Sequence, residues 1–496
     1  MSLLRRRRPD RRGSDDTAQN DDPLVRELSA ALAPERVHVD GLERALYAHD
    51  ASVFDDGVAG PVCFPVDRAE VQACVRAAAA HGRPFVVRGA GTGLAGGAVP
   101  LDGAVVIVTT MMRDILSVDA DEGVAWVQPG VLNLDLTRAV AAHGLHFAPD
   151  PSSQQSCSIG GNVANNSGGP HCLSLGVTSA HVLAIEVVLP DGRVTVLGGL
   201  DPEPDGLDLR GAFVGSEGML GVATAIAVRL TPNPPAVRTL LLDFTSVEAA
   251  AATVSGIIAA GLVPAALEMM DQRITQAVEA YVGAGYPTDA AAVLLVEVDG
   301  LDGGVAEEEA LVSEIGRRSG ARTVRVAADD VERALLWKGR KTAFGAIARI
   351  KPKYYLHDTV VPRTRLVEVL TQVYEIADRH DVLVMNVFHA GDGNLHPLLV
   401  YDPAEPGATE RVHRAGEDII AASLAAGGVL SGEHGIGIEK QRFMCVQFDD
   451  DGLDHQGRLR SAFDPSGRAN PGKVLPTGAT CSEVRRLGGA PEGTWL

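Results

Sequence analysis

The sequence predicts an α+β protein in two successive parts, and three observations carry this. Short apolar runs alternate with amphipathic, helix-like segments up to about residue 235. Residues 231–235 then set three prolines in five positions, the sharpest break in the chain. Beyond it the pattern restarts as β-α-β and then α-β, which suggests a second α+β domain with an antiparallel sheet.

The elements follow in order. Residues 23–32 read as an amphipathic helix. Residues 68–81 put Val71, Cys74, Val75 and Ala78 on one face, as a helix docked on a sheet requires. A short apolar strand over 84–87 runs into Arg88-Gly89-Ala90-Gly91-Thr92-Gly93. Strands are predicted over 105–108, 124–127, 182–189 and 222–230, separated by turns such as Pro190-Asp191-Gly192. The second part reads as strands over 239–244, 292–298 and 382–387, with helices over 247–260, 304–319, 330–344 and 365–380. No tandem repeat is visible. The resulting division is a basic tail, 1–22, a first domain, 23–235, a second domain, 236–440, and a C-terminal segment, 441–496.

Bulk properties exclude several functions. A chain of 496 residues has room for two to four domains at roughly 150 residues each. A net charge of −20 repels phosphate backbones, and 4% aromatic content leaves few stacking platforms, so no nucleic acid is expected. An anionic substrate would need a local basic focus. Residues 1–12 carry six arginines, but GSDDTAQNDD follows in place of an apolar run, so a solvated arm is expected and not a signal peptide. Cys63, Cys74, Cys157, Cys172, Cys445 and Cys481 form no CxxC pair and read as reduced. No apolar run nears the ~20 residues that span a bilayer. A cytoplasmic protein is expected, with peripheral association at the inner membrane face allowed.

Three glycine-rich segments invite a ligand. RGAGTGLAGGA (88–98) follows a strand and packs eight glycines or alanines together, which suits close backbone approach to a diphosphate. Its Gly91, Gly93 and Gly96 match GxGxxG, yet no helix intervenes before the next strand and Asp114 falls in a loop, so the Rossmann reading fails. PDPSSQQSCSIGGNVANNSGGP (149–170) reads as a long, nearly uncharged loop for a flat, hydrogen-bonding ligand. GSEGMLGVATAIAVRL (215–230) feeds a glycine-rich turn into a strand.

In this order and spacing the three segments resemble the FAD-binding domain of the vanillyl-alcohol-oxidase flavoproteins. The resemblance implies a PCMH-type FAD-binding domain of two α/β subdomains, a substrate or cap domain, and a C-terminal segment returning to the flavin. It assigns the pyrophosphate to Arg88, Gly89, Ala90, Gly91, Thr92, Gly93 and Leu94. It assigns the isoalloxazine and ribityl parts to Pro151, Ser158, Gly160, Gly161, Asn162, Ala164 and Gly168. Glu217, Gly218 and Val222 fall to the adenine side, and Asn470 of ANPGK is the residue that returns. The first loop carries no histidine, so non-covalent FAD is expected, with His171 and Cys172 as the residues to watch.

Chemistry gathers near the C-terminus. In FHAGDGNLHP (388–397), His389 and His396 flank a turn that could bring two imidazoles to one ion. Structural histidines at a turn are the other reading. SGEHGIGIEK (431–440) adds Glu433, which could complete a His-His-Glu metal site with an open position, and His434, which could stay free as a base.

The two motifs behind the first domain resemble the metal-dependent 2-hydroxy-acid branch, which includes D-lactate dehydrogenases, D-2-hydroxyglutarate dehydrogenases and glycolate oxidase flavin subunits. That resemblance implies His389, His396 and Glu433 on a divalent metal, zinc first with manganese or iron as alternatives, and His434 as general base. Arg340 in WKGRK would hold the substrate carboxylate, with Tyr354 and Tyr355 near the pocket. Hydroxyglutarate-type members carry lysine where this chain has Leu356, which favours a shorter substrate. The implied reaction is oxidation of a small 2-hydroxy acid, of the glycolate or D-lactate type, by FAD. The electron acceptor would be a quinone, an electron-transfer flavoprotein, a cytochrome or an iron–sulfur subunit, and the chain a homodimer or part of a hetero-complex. A flavin-holding assembly subunit is the non-catalytic alternative.

Overall fold

The computed structural model describes residues 22–53, 57–201 and 206–486. Of the expected basic tail only Asp22 is among them, and it caps the helix Pro23–Ala31 by accepting from the Leu24 N–H. That helix buries Leu24, Val25 and Leu28 beside the helix Arg68–Ala80, whose predicted apolar face is buried. Both cover a four-stranded sheet ordered Val37–His38, Ala59–Cys63, Ala104–Val108, Phe85–Arg88. Its last three strands are parallel. The crossover between Phe85–Arg88 and Ala104–Val108 contains no helix, as the failed Rossmann reading requires. The chain's end returns here: Phe85 donates to the Arg468 carbonyl, and Asn470 donates to the Phe85 carbonyl.

A second sheet is antiparallel throughout, ordered Ile115–Asp119, Val124–Val127, Val222–Arg229, Val182–Val188, Val194–Gly198. Its core is closed by the helix Asn133–Val140 and by a helix that the sequence did not announce, Ile159–Asn165. This helix corrects the reading of 149–170 as continuous loop. Two glycines oppose helix formation, but the Ser158 hydroxyl caps the first turn, and Ile159 and Val163, four apart, both reach the core.

Residues 236–401 build a nine-stranded antiparallel sheet. Strand Ala236–Phe244 shows how it sits: Leu240, Leu242 and Phe244 enter one core, and Leu241 enters the other. Helices Val247–Ala259, Asp302–Arg318, Leu366–Arg379 and Ala408–Ala425 cover the first face. Helices Gln272–Val282, Asp330–Lys341 and Ala343–Ile347 cover the second. The expected helix over 330–344 therefore breaks at Thr342, whose hydroxyl donates to the Lys338 carbonyl.

The cysteine reading needs correction. Cys445 and Cys481 form a disulfide, because the short helix Met444–Gln447 and the helix Gly478–Arg486 pack with these Cα atoms 5.3 Å apart. Cys63, Cys74, Cys157 and Cys172 are free thiols.

Candidate active site

A cavity of about 470 Å³ opens where the three glycine-rich segments face the nine-stranded sheet. Its walls include Gly89, Ala90, Gly91, Thr92, Gly93 and Leu94 from the first segment. Pro151, Ser158, Gly160, Gly161, Asn162 and Ala164 come from the second, and Glu217 and Gly218 from the third. The same cavity is lined by Arg340, His389, His396, Glu433 and His434. Residues over 300 positions apart in sequence thus share one space.

Five expected residues stand outside the lining. Arg88 turns its guanidinium over the Tyr47 ring and donates to the His49 carbonyl. Val222 is buried in the core, and its neighbours Gly221 and Ala223 line the cavity instead. Asn470 acts as a strut: its Nδ2 donates to the carbonyls of Gly97 (2.8 Å) and Glu217 (2.6 Å). Gly168 sits behind Glu433, close enough that a Cβ there would meet Oε2 at 2.7 Å. Tyr354 lines the cavity, but Tyr355 packs against His357 and His413, away from it.

The fit to a dinucleotide rests on the first loop. Among the described residues, no acceptor within the chain meets the backbone N–H groups of residues 90–97. A concave run of free N–H groups is an anion cradle. Close packing explains the glycines: a Cβ at Gly89 would lie 2.4 Å from Ser158 Oγ, and one at Gly160 2.6 Å from Pro129 Cβ.

The residues expected around a metal converge. Glu433 Oε1 lies 3.2 Å from His389 Nε2, 3.1 Å from His396 Nε2 and 3.5 Å from His434 Nε2. His389 and His396 are almost fully buried. His396 Nδ1 is buried without a hydrogen bond and its Nε2 faces only Glu433 Oε1, an unsatisfied state that an ion would relieve. Burial pushes His389 down, but Glu268 and Glu433 outweigh it and raise it to about 10, so this corner is built to stabilise positive charge. The residues present therefore fit a divalent cation. A second triad, Asp358, His396 and His434, also places its ligand atoms within 4.8 Å of one another. Asp358, however, is committed elsewhere. Its carboxylate accepts from the Ser431 hydroxyl and from the N–H groups of Gly432, Glu433 and His434, with Lys440 Nζ 3.6 Å away. It shapes the loop that presents Glu433 and His434.

Burial also opposes charge on His434, yet Asp358 and Glu433 raise its pKa overall. Its ring stacks on His396 at 5.0 Å. Glu217 ties this loop to the glycine-rich side by accepting from the N–H groups of Ile436 (2.6 Å) and Gly437 (2.9 Å). Arg340 is 1% exposed. Its Nε donates to Glu268 Oε2 at 2.7 Å, its Nη2 lies 2.6 Å from the same oxygen, and its buried Nη1 has no hydrogen-bond partner. Glu268 also accepts from His389 Nδ1 at 2.7 Å. Sequence reading missed Glu268 and Asp358. Each is a charged residue in an otherwise apolar run, ALEMM and YYLHDTVV, which is the one local sign of a buried, partnered carboxylate.

Comparison with known proteins identifies the family. Residues 60–198 match the family described as FAD binding domain, and residues 233–474 match FAD linked oxidases, C-terminal domain. Glycolate oxidase subunit GlcD of Escherichia coli (strain K12) is 48% identical over 400 residues, covering 81% of this chain and 80% of that protein. D-lactate dehydrogenase of Anaerostipes hadrus is 32% identical, covering 91% of this chain and 97% of that protein. The solved structure of p-cresol methylhydroxylase with substrate bound superposes with a TM-score of 0.78 at 16% identity, over 91% of this chain and 96% of that one, which speaks to fold alone. An FAD-binding half, an FAD-oxidase C-terminal half and relatives that match along most of their length lead to one conclusion: the chain belongs to the FAD-linked oxidase family, an oxidoreductase family.

Proposed function

We propose that this chain oxidises a short 2-hydroxy monocarboxylic acid, of the glycolate or D-lactate type, to the 2-oxo acid, with non-covalent FAD and a divalent metal. One observation carries the reading: a buried His-His-Glu cluster, a further imidazole and an arginine converge on the cavity walled by the glycine-rich segments. Bound FAD would supply the hydride acceptor, and an ion held by His389, His396 and Glu433 would lower the hydroxyl pKa, zinc first with manganese or iron as alternatives. Neither His171 nor Cys172 lines the cavity, which supports a non-covalent flavin.

The chain's own groups supply the rest. Arg340, a cation on the cavity wall whose guanidinium Glu268 orients through Nε, would hold the substrate carboxylate. His434 accepts the hydroxyl proton, and Asp358 and Glu433 stabilise the imidazolium that results. Phe344, stacked on Tyr354, and Leu356 form an apolar wall. Lys341, the neighbouring cation, is held by Asp150 at 3.1 Å. A second carboxylate would find no free partner on that wall, which favours hydrogen or methyl at C2.

Among the described residues, the only clusters able to hold a metal lie at this site. Electrons would therefore leave to a separate acceptor: a quinone, an electron-transfer flavoprotein, a cytochrome or an iron–sulfur subunit. Anaerobic mixing tests the reading. Glycolate or D-lactate should bleach the flavin absorbance, D-2-hydroxyglutarate should do so poorly, and EDTA should suppress bleaching. No bleaching by any of the three acids would refute the substrate class.

A further inference from the structure

We infer that Glu268 is a positioning residue that joins the metal ligand His389 to the carboxylate clamp Arg340, and that it fixes which nitrogen of His389 faces the ion. The inference rests on the proposed function and deepens it. Glu268 sits on the strand Ala266–Asp271, and its Cα pairs directly with that of His389 on the strand Leu383–His389. Arg340 comes from the helix Asp330–Lys341, which covers the same sheet face. One carboxylate, 1% exposed, therefore serves both: Oε1 accepts from His389 Nδ1 at 2.7 Å, and Oε2 accepts from Arg340 Nε at 2.7 Å with Nη2 2.6 Å away. Glu268 is absent from the cavity lining, whereas both partners are in it.

The consequence is a matter of hydrogen-bond polarity. A carboxylate only accepts, so His389 keeps a proton on Nδ1; without an ion its Nε2 also donates to Glu433, and it is the Nε2 proton that an ion would displace. Arg340 donates through Nε to Glu268, with Nη2 2.6 Å from the same oxygen, so its guanidinium is held in one orientation rather than free to swing.

Substitution separates the two halves. In Glu268→Gln one amide oxygen can still accept from Arg340 Nε, but the amide NH2 meets His389. Nδ1 must then accept, the proton moves to Nε2, and the ligand is lost. In Glu268→Ala both partners are released. Two readouts on the purified holoenzyme follow this: divalent metal retained after dialysis against EDTA, and the Kd of propionate, a monocarboxylate without the 2-hydroxyl, from flavin difference spectra. Glu268→Gln should weaken metal retention 10- to 100-fold and leave propionate Kd within about threefold. Glu268→Ala should weaken both. Wild-type metal retention in Glu268→Gln overturns the inference, as does equal loss of both properties in the two variants, which would mark a merely structural role. Should Glu268→Ala not fold, the Gln variant alone decides. A wild-type protein that neither retains a divalent ion nor binds propionate overturns the proposed function itself, an outcome visible before any variant is made.

Discussion

Alanine at Gly168 should cripple hydroxy-acid oxidation while leaving the flavin bound. Gly168 lies outside the cavity lining, and its φ is not in the left-handed region, so the backbone accepts alanine without strain. The cost is steric. A Cβ would lie 2.7 Å from Glu433 Oε2, 3.0 Å from Cys172 Sγ and 3.3 Å from Glu433 Cβ. The first contact falls about 0.7 Å short of the 3.4 Å at which ordinary van der Waals contact begins. Glu433 cannot yield cheaply, because Oε1 faces three imidazole nitrogens and its N–H is held by Asp358. A metal site tolerates about 0.2 Å in ligand distance, and a misplacement near 1 Å costs about 100-fold in rate. G168A should therefore reduce its flavin with glycolate about 100-fold more slowly than wild type, with less bound metal and an unchanged flavin content. Adding Cys172→Ala opens room on the sulfur side and should recover part of the loss. Wild-type reduction rate and metal content in G168A would refute the claim that Glu433's position governs the chemistry.

Three further outcomes follow from other residues. His171 bridges Asp150 (2.9 Å) and Glu297 (3.3 Å) across the two halves, and these carboxylates raise it to about 10 against the opposing effect of burial. Its stabilisation is complete below the ordinary imidazole value near 6.5 and is lost as pH rises toward about 10; the Tm gap between wild type and His171→Asn should shrink over that range, and a constant gap would sink the assignment. Leu356→Lys places a cation on the apolar wall and should raise kcat/KM for D-2-hydroxyglutarate relative to glycolate by about tenfold, the effect of one charged hydrogen bond; an unchanged ratio would count against the wall as a selector. The Cys445–Cys481 link spans 36 residues, for which chain entropy gives at most about 4 kcal/mol; a reductant should lower Tm in wild type but not in Cys481→Ser, and an equal response in both would exclude the disulfide as the cause.

Legibility followed range. The helix Arg68–Ala80 and the strands Val124–Val127 and Val182–Val188 were readable because their burial pattern lies within one window. The strand Ala266–Asp271 escaped notice, since a sheet covered on both faces loses its alternation and Glu268 interrupts the apolar run. The convergence of His389, His396, Glu433 and His434 was readable because each pair lies in one short motif. Glu268 and Asp358 were not, because they act on partners 121 and 74 to 76 positions away. The disulfide was hidden for the same reason: no spacing rule joins cysteines 36 residues apart.

The loop 431–440 explains why neither half of the chain can be assigned the reaction alone. From the sheet side, Asp358 gathers the N–H groups of Gly432, Glu433 and His434. From the glycine-rich side, Glu217 gathers those of Ile436 and Gly437, and Asn165 Nδ2 donates to the His434 carbonyl at 2.8 Å. Asn470 completes the chain of supports by donating to the Glu217 carbonyl. Glu433 and His434 thus hang between two buried acids from opposite halves. Glu217 and Asn470, grouped by sequence with cofactor contacts, set the register of this loop against the glycine-rich wall. A Glu217→Gln substitution keeps the shape of this strut but weakens its two N–H acceptor bonds, so it should slow flavin reduction more than it lowers flavin content. A loss of flavin without a slower reduction of what remains would assign Glu217 to the cofactor alone.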